Sequence, residues 1–231
     1  MIREGILVEN KLKKRLKDIK KRIKNAAFKA NRDHEEITLV AVSKTQPVAK
    51  IKYFHKHNIN IFGESRAQEL RDKNEKVSDL NLSWHFIGHL QRNKVKYLLR
   101  MKKCNMIESL DSWRLAKEIN KRAKKNNRVM PVLIEVNVSG DENKFGIKPE
   151  NVVNFTQNAV QLSHINIKGL MTLAPYVDDP EKTRPYFKKL ADLKGKVNSE
   201  GFNLKELSMG MSNDFEIAIE EGATIVRIGT A

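Results

Sequence analysis

From about residue 37 to its end, the chain alternates short apolar runs with amphipathic stretches. The apolar runs are 37–43, 59–62, 84–87, 105–108, 131–138, 165–170, 204–207 and 224–228. Short, β-branched runs of this kind predict strands buried on both faces. Between them, 47–57, 66–77, 92–102, 112–126, 149–162, 181–197 and 213–221 carry apolar residues at helical spacing. Pro149 suits a first helical position, and Gly222 follows Glu220 and Glu221 where a helix ends. Ahead of this alternation, Leu12, Leu16, Ile19, Ile23, Ala26 and Ala30 fall at steps of four and three. They form one apolar stripe on a helix over 8–30, surrounded by lysine and arginine.

Eight strands with seven intervening helices predict a closed parallel (β/α)8 barrel, an α/β fold of the TIM type. A doubly wound open sheet is the rival, but it requires no particular strand number. No Gly/Ser/Pro-rich linker divides the chain, so the expectation is one domain over 1–231, with an N-terminal helix (8–30) and a barrel (37–231). Strand eight has no helix after it. The N-terminal helix is expected to cover that gap, which requires Leu16 and Ile19 to be buried.

The 231 residues carry 44 Lys+Arg against 28 Asp+Glu, a net charge of +16. Such a balance raises nucleic acid or membrane lipid as partners. The basic residues are spread along the chain, densest at 11–24 and 117–128 on predicted helices, where a solvated face is the plainer account. Zinc-finger spacing is absent, and nine Phe, two Trp and four Tyr leave little for base stacking. Nucleic-acid binding is therefore not expected; attraction of small anions is. One cysteine, Cys104, excludes an internal disulfide and fits a reducing compartment. It is expected buried and inert at a strand start. No segment reads as a signal peptide or membrane span, so a cytoplasmic, monomeric protein is expected.

Chemistry in such barrels collects at the C-terminal ends of the strands, and phosphate commonly binds after strands seven and eight. Strand one closes on Lys44, whose ammonium either escapes to solvent or is desolvated toward neutrality, the state of a carbonyl nucleophile. Strand seven runs into Ser208, Met209, Gly210, Met211 and Ser212. Their hydroxyls, close-approach glycine and helix start suit either a phosphate cradle or an ordinary strand-to-helix turn with Ser212 as cap. Gly229 and Thr230 could close a cradle from strand eight. Asp214 opposes an anion there and is expected to point aside or pair with a lysine. Arg227 inside strand eight must be satisfied, by a barrel carboxylate or by a ligand in the mouth. Closure makes strands one, seven and eight neighbours, so lysine, cradle and arginine together describe pyridoxal 5′-phosphate: aldehyde, phosphate and ring nitrogen.

Several segments resemble the YggS/PROSC family of pyridoxal phosphate homeostasis proteins. They are Val40 to Thr45, Phe62-Gly63-Glu64, Gln68-Glu69, Trp84 to Lys94, Asn137 to Gly146 (with Lys144), Gly169 to Thr172, Leu207 to Ser212 and Val226 to Thr230. The resemblance implies a barrel like the N-terminal domain of alanine racemase, with Lys44 as the Schiff-base lysine. It implies phosphate against Ser208 to Ser212, Gly229 and Thr230, Arg227 beside the ring nitrogen, and Ser65 and Met171 near the cofactor. An arginine at that nitrogen makes the ring a poor electron sink. This agrees with a carrier or regulator of the cofactor, serving pyridoxal-phosphate-dependent apo-enzymes, and not with catalysis. Two departures stand out: Ser65 replaces the usual Asn, and the chain stops at Ala231, which would bring a carboxylate near strand eight. A racemase-like enzyme is the alternative, but it needs a second acid/base opposite Lys44, and of the four tyrosines only Tyr176 could reach the mouth. His85 and His89 show i, i+4 spacing without an obvious third metal ligand, and Trp84 reads as core.

Overall fold

The computed structural model describes residues 2–229, with side chains described from Glu9 onward. Its strands are β1 (Thr38–Val42), β2 (Ile61–Glu64), β3 (Ser83–Phe86), β4 (Cys104–Leu110), β5 (Met130–Glu135), β6 (Ile165–Met171), β7 (Glu206–Ser208) and β8 (Ile225–Ile228). All pair in parallel and close in sequence order, β8 against β1, as the alternating pattern predicts. The seam runs from Thr38 opposite Ile225 to Ala41 opposite Ile228. The helices are α1 (Ile2–Lys29), α2 (Val48–Lys56), α3 (Ala67–Lys76), α4 (Val95–Arg100), α5 (Trp113–Lys125), α6 (Val152–Ala159), α7 (Arg184–Ser199) and α8 (Phe215–Glu220).

Two apolar layers hold the fold. The larger lies between strands and helices and includes Phe62, Trp84, Phe86, Leu110, Phe187 and Phe215. A smaller cluster of Val40, Leu133, Met171 and Ile225 comes from β1, β5, β6 and β8. Residues from opposite strands meet only through the barrel interior, so this cluster fills its axis. Several strands shift from their apolar runs. The second covers 61–64 where 59–62 was expected, and the fourth reaches Leu110. Both extend into Gly63-Glu64 and Glu108-Ser109, polar residues that the barrel buries.

The N-terminal helix begins at Ile2, earlier than the expected residue 8. Leu16 and Ile19 are each only 8% exposed, which bears out the cover over the last strand. Burying each such side chain contributes about 1.5–3 kcal/mol. Arg22 fixes the contact with α8: its guanidinium donates to Glu216 at 3.2 and 2.7 Å and lies 4.6 Å from the Phe215 ring centre. Arg32 donates to the carbonyls of Ile219 and Ala223 at the end of that helix. There Gly222, at φ +96°, lets the Ala223 and Gly222 N–H groups bond back to Ala218 and Ile219. Among the described residues no helix is long and apolar enough to cross a membrane. Cys104 is buried at the start of β4, and burial pushes its thiol up to about 12.

Candidate functional site at the C-terminal mouth of the barrel

Lys44 lies two residues beyond β1, in a turn, and is exposed. Of its two expected environments the structure gives the solvated one. Its neighbours are the constrained residues. Ser43 is buried: its N–H donates to the Gly63 carbonyl at 3.0 Å and its hydroxyl to Glu64 Oε1 at 2.7 Å. Thr45 adopts φ +61° and donates its N–H to Glu69 Oε1 at 2.6 Å. Lys73 on α3 reaches both sides, donating to the Ser43 carbonyl (2.5 Å), Glu64 (2.7 Å) and Glu69 (2.7 Å). Burial pushes the Glu64 carboxyl up, only partly offset by Lys73 and Ser43, and its Oε2 has no hydrogen-bond partner.

The loop from β7 to α8 folds back on the helix. Gly210 has φ +90°, and a Cβ there would stand 2.6 Å from Ala218 Cβ and 2.8 Å from Phe215 Cα. Only glycine fits both the conformation and the space. Met209 turns into the outer core, so it offers the mouth backbone alone, whereas Met211 is 39% exposed. Asp214 is buried and accepts the Met211 N–H at 2.6 Å; it points back into the loop and takes that donor for itself. The Gly229 N–H donates to Ser212 Oγ at 3.3 Å, which joins the β7 and β8 loops. Thr230 and the Ala231 carboxylate lie outside the described residues.

Beneath these loops a polar layer crosses the barrel. Arg227 is 3% exposed; it donates to Ser208 Oγ and to the Thr172 carbonyl (2.7 Å) and stands 3.6 Å from Glu108 Oε2. The Ser208 hydroxyl donates to Glu108 Oε2 at 2.6 Å, and His85 Nδ1 meets Glu108 Oε1 at 2.6 Å. Burial pushes Glu108 up, but His85, Arg227 and Ser208 together hold it below the usual carboxylate range. Burial draws the Arg227 guanidinium down, against the fields of Glu108, Glu135 and Asp214. The Ser208 hydroxyl, expected against a phosphate, lies here between an arginine and a carboxylate, because a buried guanidinium must be satisfied.

The other expected residues fall around this layer. Met171, fully buried, belongs to the axial cluster and forms part of the floor. Ser65 is half-buried after β2, where a Cβ on Gly88 would stand 2.4 Å from its carbonyl oxygen. His85 and His89 have separate carboxylates: His89 bonds Asp111 at 2.8 Å and stacks on Phe145. Tyr176 is 87% exposed in the loop after β6, and Trp84 is core. Glu135, at the end of β5, escaped the sequence reading. Burial, with Asp111 adding to it and Arg227 opposing, pushes its carboxyl up to about 7. A signal existed: Phe62-Gly63-Glu64, Met106-Ile107-Glu108 and Leu133-Ile134-Glu135 each put a glutamate directly after strand residues.

A family model described as the alanine racemase N-terminal domain matches residues 15–231. The chain belongs to this family. It is 50% identical over 217 residues to the pyridoxal phosphate homeostasis protein of Aquifex aeolicus, covering 94% of each chain. The structure of PipY from Synechococcus elongatus, solved with pyridoxal phosphate bound, superposes with a TM-score of 0.79 at 31% identity, over 92% of this chain and 98% of PipY. An alanine racemase from Clostridium difficile shares the fold alone. Its TM-score is 0.68 at 19% identity, over 91% of this chain and 54% of the racemase.

Proposed function

We propose that this chain binds pyridoxal 5′-phosphate on Lys44 and releases it again, a cytoplasmic, monomeric carrier in vitamin B6 homeostasis that serves apo-enzymes and carries out no reaction of its own. The observation that carries the reading is the β1–β8 seam. Because Val40 pairs with Arg227 and Ala41 with Ile228, an exposed amine and the linked Ser212–Gly229 loops stand on adjacent strands. The donor set fits the group. A primary amine suits an aldehyde. The Ser212 hydroxyl and the Gly210 backbone suit a phosphate, while the Met211 and Gly229 N–H groups are engaged by Asp214 and Ser212. Arg227 spends two of its five N–H donors on Ser208 and Thr172, which leaves donors for a ring nitrogen.

When bound, the cofactor supplies an aldehyde that condenses reversibly with an amine. The rest is the work of the chain. Lys44, in a turn beyond β1, is open to solvent. Ser208 and Glu108 hold Arg227 in place, and an arginine always donates and never gives up its proton, so it keeps a facing nitrogen unprotonated. Met171 closes the floor, and Ser65 stands at the rim with Gly88 packed against it. A racemase-like enzyme has the barrel alone in its favour. The buried thiol form of Cys104 agrees with a reducing cytoplasm.

The test is a spectrum. Protein loaded with pyridoxal 5′-phosphate should show a visible band that Lys44→Ala abolishes while its melting temperature stays unchanged. A band that persists in Lys44→Ala overturns the assignment.

A further inference from the structure

Lys73 is a buried lysine far from any expected role, in the middle of α3. Its three N–H donors meet three acceptors: the Ser43 carbonyl, Glu64 Oε1 and Glu69 Oε1. An ammonium has three donors and no more, so this group is saturated. What it holds is specific. Ser43 and Thr45 flank Lys44, and each is tied to one of the two carboxylates that Lys73 grips: Ser43 by its hydroxyl to Glu64, Thr45 by its N–H to Glu69. One ammonium therefore pins both sides of the lysine between them.

The pinned turn is strained. Thr45 sits at φ +61°, a left-handed conformation that a β-branched residue rarely adopts. Such a conformation persists only where the surroundings over-determine it. Here they do so through Glu69, held by Lys73, and through the Thr45 hydroxyl bond to the Lys44 carbonyl at 2.6 Å. A turn built for stability alone would place glycine or asparagine at this position.

We propose that Lys73, with Glu64 and Glu69, is a positioning clamp that holds the Ser43–Thr45 turn in its strained form and so aims Lys44 at the barrel mouth. The proposal rests on Lys44 being the cofactor lysine. Lys73 acts through the turn and touches no reacting atom. Removing the clamp lets Thr45 relax to ordinary φ, which swings Lys44 away from the Ser212–Gly229 side. Glycine at 45 accepts left-handed φ without steric cost, so it recovers the aim without the clamp.

The experiment uses the full chain, pyridoxal 5′-phosphate as probe, and the variants Lys73→Met, Thr45→Gly and both together. In the cofactor-free protein, amide exchange at residue 45 should speed up at least tenfold in Lys73→Met. With cofactor, the rate of its loss should rise by a similar factor, and Thr45→Gly in that background should recover most of the retention. The melting temperature lost with Lys73 should not return. Where Lys73→Met fails to fold, Glu69→Met, which removes the acceptor for the Thr45 N–H and leaves the Lys73–Glu64 pair intact, should show the same faster loss and the same rescue. Unchanged retention in Lys73→Met or Glu69→Met, or a double variant no better than the single one, overturns the clamp. Absence of a Lys44 adduct in the parent protein would instead refute the reading of Lys44 itself.

Discussion

Arg227 on β8 and Glu108 on β4 stand 3.6 Å apart across the barrel interior, with the Ser208 hydroxyl bonded to both. In an eight-stranded barrel closed in sequence order these strands are opposite one another. The pair therefore ties the two halves of the wall together just below the mouth. A guanidinium this deep cannot lose its charge, so its partner must keep one as well.

Breaking that pair from one side should be costly. Arg227→Met leaves the buried Glu108 with only His85 and the Ser208 hydroxyl as described partners, and the loss should be about 3–5 kcal/mol. Adding Glu108→Leu removes the stranded charge and should restore part of it. Urea unfolding of the two variants checks this; a double variant less stable than Arg227→Met would contradict it.

Glu135 makes stability depend on pH. Its carboxyl titrates at about 7 in the fold, above the ordinary 4.5. The folded state therefore holds a proton that the unfolded chain has released between those values. Its contribution is full below 4.5 and is lost as pH rises through 7, by roughly 3 kcal/mol. The cofactor-free protein should melt lower at pH 8 than at pH 5, and Glu135→Gln should flatten most of that slope. An equal slope in both proteins would contradict the assignment.

The loop after β7 separates shape from contact. Gly210→Ala forces a side chain against Phe215 and Ala218 at φ +90°, and should cost about 1–3 kcal/mol. Ser212→Ala loses the bond to the Gly229 N–H and should cost about 1 kcal/mol, less than Gly210→Ala, yet weaken pyridoxal 5′-phosphate binding about tenfold, the size of one hydrogen bond to a charged group. Urea midpoints beside a cofactor titration distinguish the two. A Ser212→Ala protein of unchanged affinity would remove the hydroxyl from the phosphate site.

The fold was legible because burial on both strand faces leaves continuous apolar runs, and eight such runs admit closure. The N-terminal stripe was legible for the same reason, and Leu16 and Ile19 lie where it demands. The polar layer was not legible. Glu64 and Glu108 gave no hint of it, because a sequence shows a carboxylate without the Lys73, His85 or Arg227 that satisfies it. The partners of the Ser208 hydroxyl were hidden on the same ground: Arg227 and Glu108 reach it from other strands. Lys73 was invisible among the charged residues of α3, and only its spacing from Glu69 hinted at a pair. The place of Lys44 just past β1 was legible, but its exposure was left open, because strand length alone does not say where a wall stops.

On the proposed reading, the seam between β1 and β8 makes Lys44 the lysine that takes the aldehyde. The most direct test is to reduce the protein loaded with pyridoxal 5′-phosphate with borohydride, digest it, and find the lysine that carries the added mass. The predicted result is a single modified site at Lys44. Modification at Lys144, in the loop after β5, or spread over many surface lysines would contradict it.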